Sequence, residues 1–96
     1  FMLYSNKIVL MNINELIAIV KSKIETEIII QDIKIEDKSF LHKNHKGHQE
    51  GKFHLKLIIK SEEFSGSSKI VSTKRIYNIL KHELKEHIHS IQILFT

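Results

Sequence analysis

The chain has 96 residues, among them seven histidines but no cysteine, proline or tryptophan. This length suits one small domain. Hydrophobic residues make up 42% and charged residues 27%, which excludes a disordered chain and a membrane-embedded one. Without cysteine, the chain holds no disulfide, no thiol nucleophile and no metal site with thiolate ligands of its own. Any metal chemistry must therefore use histidine, carboxylate or ligands from a partner.

The formal net charge is +4, which favours anionic partners only weakly. Fourteen of the fifteen cationic residues are lysine, and Arg75 is the single arginine. Isoleucine occurs eighteen times, and joint enrichment in lysine and isoleucine is typical of an AT-rich genome. Arginine is the side chain best shaped for bidentate contacts with phosphate and guanine. The basic balance therefore does not by itself indicate a nucleic-acid partner.

Residues 1–10 contain a short apolar run without the pattern of a signal-peptide cleavage site. Phe1 precedes Met2, and a helical pattern begins just after Met11. We interpret residues 1–10 as an N-terminal appendage, upstream or cloning-derived, and predict one domain over residues 11–96. Since no apolar stretch approaches the roughly 18–20 residues that span a bilayer, we expect a cytoplasmic protein with no membrane partner.

The first half of the domain predicts a helix and two strands. From Asn12 onward, apolar residues recur at the spacing of an amphipathic helix. These residues are Ile13, Leu16, Ile17, Val20 and Ile24. Glu27–Glu36 is rich in β-branched residues and alternates, which predicts a first strand that includes Ile28–Ile30. Asp37–Lys52 is polar and aperiodic, a long loop, and Phe53–Lys60 alternates again as a second strand.

The second half predicts a turn, two helices and a last strand. Ser65–Ser68 has the composition of a turn and helix cap, and a helix break is expected near Ser72 and Thr73. Ile88–Phe95 alternates as a strand, parallel to the second strand because a helical crossover precedes it. The order αββααβ predicts an α+β domain, a three-stranded mixed sheet with helices packed on one face.

The histidines are the candidate metal ligands. His42, His45 and His48 lie in the long loop at regular spacing, and His54 begins the next strand. Strand alternation places His89 on the face of Ile91 and Ile93, at the edge of the core. For the loop, the alternatives are solvated polar surface or a zinc site of its own, although no cysteine or carboxylate stands at ligand spacing. For His89, the alternative is a partly buried ring that donates to a backbone carbonyl.

Enzyme motifs are absent from the sequence. It has no Gly-x-Ser-x-Gly elbow, no glycine-rich phosphate loop and no His-Glu-x-x-His pair, so we expect no enzymatic activity. The two helices after Gly66 are similar to a helix-turn-helix. Their candidate phosphate contacts are Lys69, Lys74, Arg75 and Lys81. The alternative is an ordinary solvated helix surface.

Four segments, in chain order, resemble motifs of BolA-like proteins. In Asp37–His45, an acidic residue and a serine precede histidines, and His54–Ser61 is similar to a strand that begins with His and ends in Ser. Phe64–Gly66 resembles the family's Phe-x-Gly turn, and Ile88–Ile93 resembles its closing Ile-His-x-Leu-x-Ile strand. The resemblance covers Met11–Phe95 and implies a small KH-like αββααβ fold.

The resemblance also implies a function without catalysis. BolA-like proteins pair with monothiol glutaredoxins and share a glutathione-dependent 2Fe–2S cluster, for iron–sulfur cluster assembly, trafficking or iron sensing. The glutaredoxin cysteine and a glutathione thiolate hold one side of the cluster. The closing-strand histidine, here His89, is one ligand on the BolA side. The second follows the loop serine by three positions; because Ser39 matches that serine, it is His42, with His45 as the alternative. This is the histidine-loop subtype, a monomer without cofactor when isolated.

Two departures from the family pattern bear on function. Phe40 follows the loop serine where a histidine is frequent, and Ser72-Thr73-Lys74 replaces a basic Arg-His-Arg segment in the helical region. The second departure removes cations from the helices with which some BolA proteins bind DNA. A DNA-binding transcriptional regulator is therefore our second hypothesis.

Overall fold

The structure, a computed structural model, describes residues 11–39 and 52–96 and confirms the predicted element order. The predicted appendage, residues 1–10, lies outside the described residues. The helices are α1 (Ile13–Glu27), α2 (Lys69–Ile79) and α3 (Lys81–Glu86). The strands are β1 (Asp32–Asp37), β2 (Phe53–Lys60) and β3 (Ile88–Phe95). The sheet order is β1-β2-β3, with β1 antiparallel and β3 parallel to β2, as expected for a mixed α+β sheet.

Helix α1 begins where the sequence pattern places it, because Asn12 forms a capping box with Glu15. The Asn12 side chain accepts a hydrogen bond of 2.7 Å from the Asn14 amide, and the Glu15 carboxylate accepts one of 3.2 Å from the Asn12 amide. Both bonds satisfy donors that a helix start otherwise leaves unpaired. The apolar stripe of the helix then faces the sheet, with its central residues fully buried: Leu16, Val20 and Ile24.

The expected strand over Ile28–Ile30 is wrong, because β1 begins only at Asp32. Ile28 is buried and ends α1 as its C-cap. The Ser61 hydroxyl donates a 2.6 Å hydrogen bond to the Ile29 carbonyl, and the Ile29 amide donates to the Glu63 carboxylate. Side chains from beyond β2 therefore take up the backbone groups of this segment that a strand ladder would have used, and tertiary contacts override its β-propensity.

Strand β2 is central and builds the core on one face of the sheet. Leu55, Leu57 and Ile59 point toward the helices and are buried. The core continues through the buried apolar side chains Ile76, Leu80, Ile88 and Ile93. The alternate residues of β2 face away from the helices, where His54 and Lys56 lie. Within the described ranges, no helix is long and apolar enough to cross a membrane.

The break between the last two helices falls at Leu80 rather than near Ser72 and Thr73, which corrects the prediction. Gly66 adopts a φ of +86°, a left-handed conformation that favours glycine, and ends the turn before the helix. The Ser68 side chain then caps α2 by accepting from the Val71 amide at 3.1 Å. Because Ser68 already starts the helix, Ser72 lies inside it, and its amide donates to the Ser68 carbonyl.

Candidate metal-ligand site

A β-bulge determines the position of His89. Phe53 pairs with Ile88, whereas the next residue of β2, His54, pairs with Ser90. One step along β2 therefore matches two steps along β3, and His89 is the extra residue. The Phe53 amide still donates a 2.9 Å hydrogen bond to the His87 carbonyl just before the bulge. A bulge interrupts the hydrogen-bond ladder between two strands and changes the direction of a side chain. Bulges are frequent beside functional sites for this reason.

His89 is exposed, so its expected place at the edge of the core, on the face of Ile91 and Ile93, is wrong. Strict alternation assumes one residue per pairing step, and the bulge breaks it. Ile88 and Ile93 are buried and Ile91 is half-buried, while Ser90 and Gln92 are exposed. The extra residue keeps the apolar side chains in the core and leaves the His89 imidazole accessible.

His54 lies beside His89 and is buried, with 5% of its surface exposed. Its Nδ1 lies 2.6 Å from the Ser90 hydroxyl, a hydrogen bond that joins β2 to β3. The ring centroids of His54 and His89 are 4.9 Å apart, with the planes tilted by 53°. Separations of this size are typical of tilted aromatic pairs. One side of the His89 ring therefore rests on a buried ring.

A groove of about 340 Å³ lies next to this histidine pair on the sheet face away from the helices. Its lining includes His54, Ser90, Gln92, Lys38 and Lys56. The groove therefore presents polar and cationic groups beside His54, whose ring contacts that of His89.

A small charge network continues along this sheet face. Glu36 pairs with Lys34 at 3.1 Å and with Lys38 at 3.3 Å. Hydrogen bonds from these two ammonium groups lower the pKa of the Glu36 carboxyl below its ordinary value of 4.5. Glu36 therefore stays ionised and partly offsets the positive charge of the groove.

The start of the long loop is hydrogen-bonded to the backbone of His54. The Ser39 hydroxyl accepts a 3.1 Å hydrogen bond from the His54 amide, and the Lys38 amide donates at 2.7 Å to the His54 carbonyl. The Ser39 amide donates in turn to the Asp37 carboxylate at 2.9 Å. The loop that carries the other predicted ligand is therefore attached, at its start, to the backbone of His54.

The predicted loop ligands His42 and His45, and His48 with them, lie outside the described residues. The pairing of His42 with His89 accordingly stays a prediction. His82 lies in the first turn of α3 and His87 is its C-cap, with their rings 6.2 Å apart.

The donor set of the described residues fits a metal group that is shared with a partner. In the two described ranges, no group of three or more histidine, cysteine or carboxylate side chains is placed to hold a metal ion. An accessible imidazole at a bulge, in a chain without cysteine, suits a single ligand contributed to a cluster whose thiolates come from elsewhere.

The cations proposed as phosphate contacts fall into two groups. Lys69, Lys74 and Lys81 are exposed on α2 and α3. Arg75, in contrast, forms a 2.7 Å ion pair with Glu63 and lies 5.8 Å above the Phe64 ring. Arg75 therefore has a structural role that joins α2 to the preceding turn.

Sequence reasoning treated His54 only as a spare ligand and did not single out Ser90. The one signal in the sequence that points to His54 is the second strand, which resembles the family's strand that begins with His. The contact with His89 depends on the register of two parallel strands and on the bulge, and neither can be deduced from periodicity.

Comparisons with known proteins identify the family to which this fold belongs. The family model for BolA-like proteins matches residues 24–96. The chain is 34% identical over 79 residues to the DNA-binding transcriptional regulator BolA of Haemophilus influenzae, which covers 81% of this chain and 74% of that protein.

A plant protein gives the second match. The chain is 30% identical over 80 residues to SufE-like protein 1, chloroplastic/mitochondrial, of Arabidopsis thaliana, which covers 78% of this chain and 22% of that protein's length. The solved BolA domain of SufE1 from the same plant superposes with a TM-score of 0.70 at 30% identity, covering 82% of this chain and 87% of that domain. The chain therefore belongs to the BolA-like protein family, whose members are not enzymes.

Proposed function

We propose that this protein is a cytoplasmic partner of a monothiol glutaredoxin and shares a glutathione-dependent 2Fe–2S cluster with it, in iron–sulfur cluster assembly, trafficking or iron sensing. The observation that carries the proposal is the exposed imidazole of His89, at a bulge, in a chain without cysteine. His89 supplies the strand ligand. His42 supplies the loop ligand, with His45 as the alternative, which places the chain in the histidine-loop subtype.

The chemistry of the donors supports a shared cluster. Neutral imidazole in place of thiolate removes negative charge from a cluster and raises its reduction potential, as in Rieske-type ligation. The partner's cysteine and glutathione supply the thiolates that this chain lacks. A ligand on a strand and a second on a loop suit binding that is reversed on transfer or sensing.

The direct test mixes the protein with a monothiol glutaredoxin, glutathione, iron and sulfide without oxygen. We expect a heterodimer whose visible absorption and circular dichroism differ from those of the glutaredoxin homodimer. His89→Ala should abolish the distinct spectrum, because the fixed ligand is gone. The matched control is His82→Ala, another exposed histidine, which should behave like the wild type.

Loop variants complete this experiment. If His42 is the second ligand, His42→Ala should change the spectrum and His45→Ala should not; the reverse result would assign His45. A wild-type spectrum from His89→Ala would contradict the assignment of His89 as a ligand.

A second candidate function is DNA binding. Three exposed lysines on α2 and α3, Lys69, Lys74 and Lys81, favour it, and so does the name of the Haemophilus relative. Against it stands Arg75, whose guanidinium is paired with Glu63. We therefore rank DNA binding below the shared cluster.

A further inference from the structure

Because of the bulge, His89 has no directly paired residue on β2, although its neighbours Ile88 and Ser90 do. An exposed histidine ordinarily populates several rotamers. A metal ligand, in contrast, must be held within roughly 0.5 Å and 10–20° of the position and orientation that bind the metal. Neighbouring side chains normally hold it there. The His89 imidazole therefore needs a neighbouring group that fixes its orientation.

His54 is placed to do so. Its ring is buried, and the 2.6 Å hydrogen bond between Nδ1 and the Ser90 hydroxyl fixes the ring plane. Ser90 is the residue directly after His89, so the bond also restrains the backbone that carries the ligand. The His89 ring lies against this fixed ring, with 4.9 Å between centroids.

The backbone of His54 connects this contact to the loop. Its amide donates to the Ser39 hydroxyl and its carbonyl accepts from the Lys38 amide, at 3.1 Å and 2.7 Å. Ser39 stands three positions before His42 in the sequence. One residue therefore contacts the strand ligand through its side chain and the start of the ligand loop through its backbone.

We propose that His54 is a positioning residue, whose imidazole, anchored by Ser90, holds the His89 imidazole in the orientation that binds a metal. This inference rests on the proposed function, because it gives His89 the role of ligand. Groups around a metal ligand that orient it change metal affinity by about 10–100-fold when they are removed.

The test uses two variants and one control in the full chain. His54→Asn removes the ring but keeps a polar atom close to the position of Nδ1, and Ser90→Ala removes the anchor. Gln92→Ala changes an exposed residue that lines the same groove and is the matched control. The first measurement is the rotamer distribution of His89 in the free chain, from side-chain NMR couplings. The second is the rate of cluster loss from the glutaredoxin complex.

We expect one dominant His89 rotamer in the wild type and in Gln92→Ala, and averaging over rotamers in His54→Asn. Cluster loss should be about 10–100-fold faster for His54→Asn than for the wild type. Ser90→Ala should change both quantities in the same direction but less, because the ring remains. The visible circular dichroism of the cluster should change with the rotamers, which a purely structural role of His54 would not produce.

The inference is overturned if folded His54→Asn and Ser90→Ala both keep the wild-type rotamer and the wild-type cluster lifetime. If His54→Asn does not fold, Ser90→Ala decides, since that residue is exposed. Failure of the wild type to form any bridged cluster contradicts the proposed function instead. In that case, the rotamer measurement still decides whether His54 holds His89.

Discussion

At the residue scale, Glu83 is a buried carboxylate with a single strong partner. Only 3% of its surface is exposed, and its Oε2 lies 2.7 Å from the Lys23 ammonium of α1. Its Oε1 is buried and has no hydrogen-bond partner among the described residues. A buried charge is tolerated only where it is paired, so the attachment of α3 to α1 depends on Lys23.

Lys23→Met should therefore destabilise the fold by about 1–3 kcal/mol, the usual cost of leaving a buried polar group without its partner. We expect the lower half of that range, because the Lys23 side chain is 42% exposed and water takes over part of its role. The measurement is urea unfolding, with Lys21→Met as an exposed control on the same helix. Equal stability of the two variants would show that the pair contributes nothing.

At the scale of elements, Glu63 joins three pieces of the chain. Its carboxylate accepts from the Ile29 amide, in the connection between α1 and β1, and pairs at 2.7 Å with Arg75 on α2. Glu63 itself belongs to the short 3-10 turn after β2. The hydrogen bond from the Ile29 amide, and then the Arg75 guanidinium, lower the pKa of this carboxyl below its ordinary value of 4.5.

This lowered pKa predicts an acid-sensitive junction. Because the folded carboxyl has a lower pKa than the unfolded one, Glu63 stabilises the fold above the unfolded pKa, and that contribution is lost as the pH falls through the folded pKa. Between about pH 6 and pH 3, the wild type should lose more unfolding free energy than Glu63→Gln. Glu62→Gln, at the neighbouring exposed position, should follow the wild type. Parallel curves for all three proteins would contradict the assignment.

Element positions could be predicted wherever a local signal decides them. The capping residue Asn12, the turn glycine Gly66 and the alternation of β2 are such signals, and α1, the turn and β2 lie where the sequence predicts. The Ile28–Ile30 segment could not be predicted, because its backbone is bonded by side chains distant in sequence. The helix break at Leu80 could not be predicted, because no side chain caps α3 there. Ser72 and Thr73 are good cap residues by type, but they lie inside the helix that Ser68 caps.

At the scale of the whole molecule, the candidate site combines predictable and unpredictable parts. The resemblance to BolA-like proteins points to His89 from sequence alone. Its exposure and its contact with His54 arise from the bulge between two parallel strands that a helical crossover brings together. No local pattern encodes that register, so the sequence could nominate the ligand but not the group that orients it.

The two candidate functions use different surfaces of the molecule, and this separation gives the last prediction. His89 lies at the start of β3, whereas the exposed lysines belong to α2 and α3. Lys74→Gln combined with Lys81→Gln should leave the spectrum and lifetime of the bridged cluster unchanged, since neither lysine contributes a donor to the histidine site. Arg75 is left intact in this variant because its ion pair with Glu63 supports the fold.

If the protein also binds DNA, the same double variant should weaken its affinity for DNA of any base sequence to a similar extent. It should also reduce the slope of log affinity against log salt by about one for each lost phosphate contact. His89→Ala should leave DNA affinity unchanged. Lys34→Gln combined with Lys60→Gln changes two exposed lysines on the sheet and is the control for the loss of two charges. Binding by titration at several salt concentrations measures all three. A cluster lost in the double lysine variant, or DNA affinity lost in His89→Ala, would show that one surface serves both partners and would contradict the separation argued from the fold.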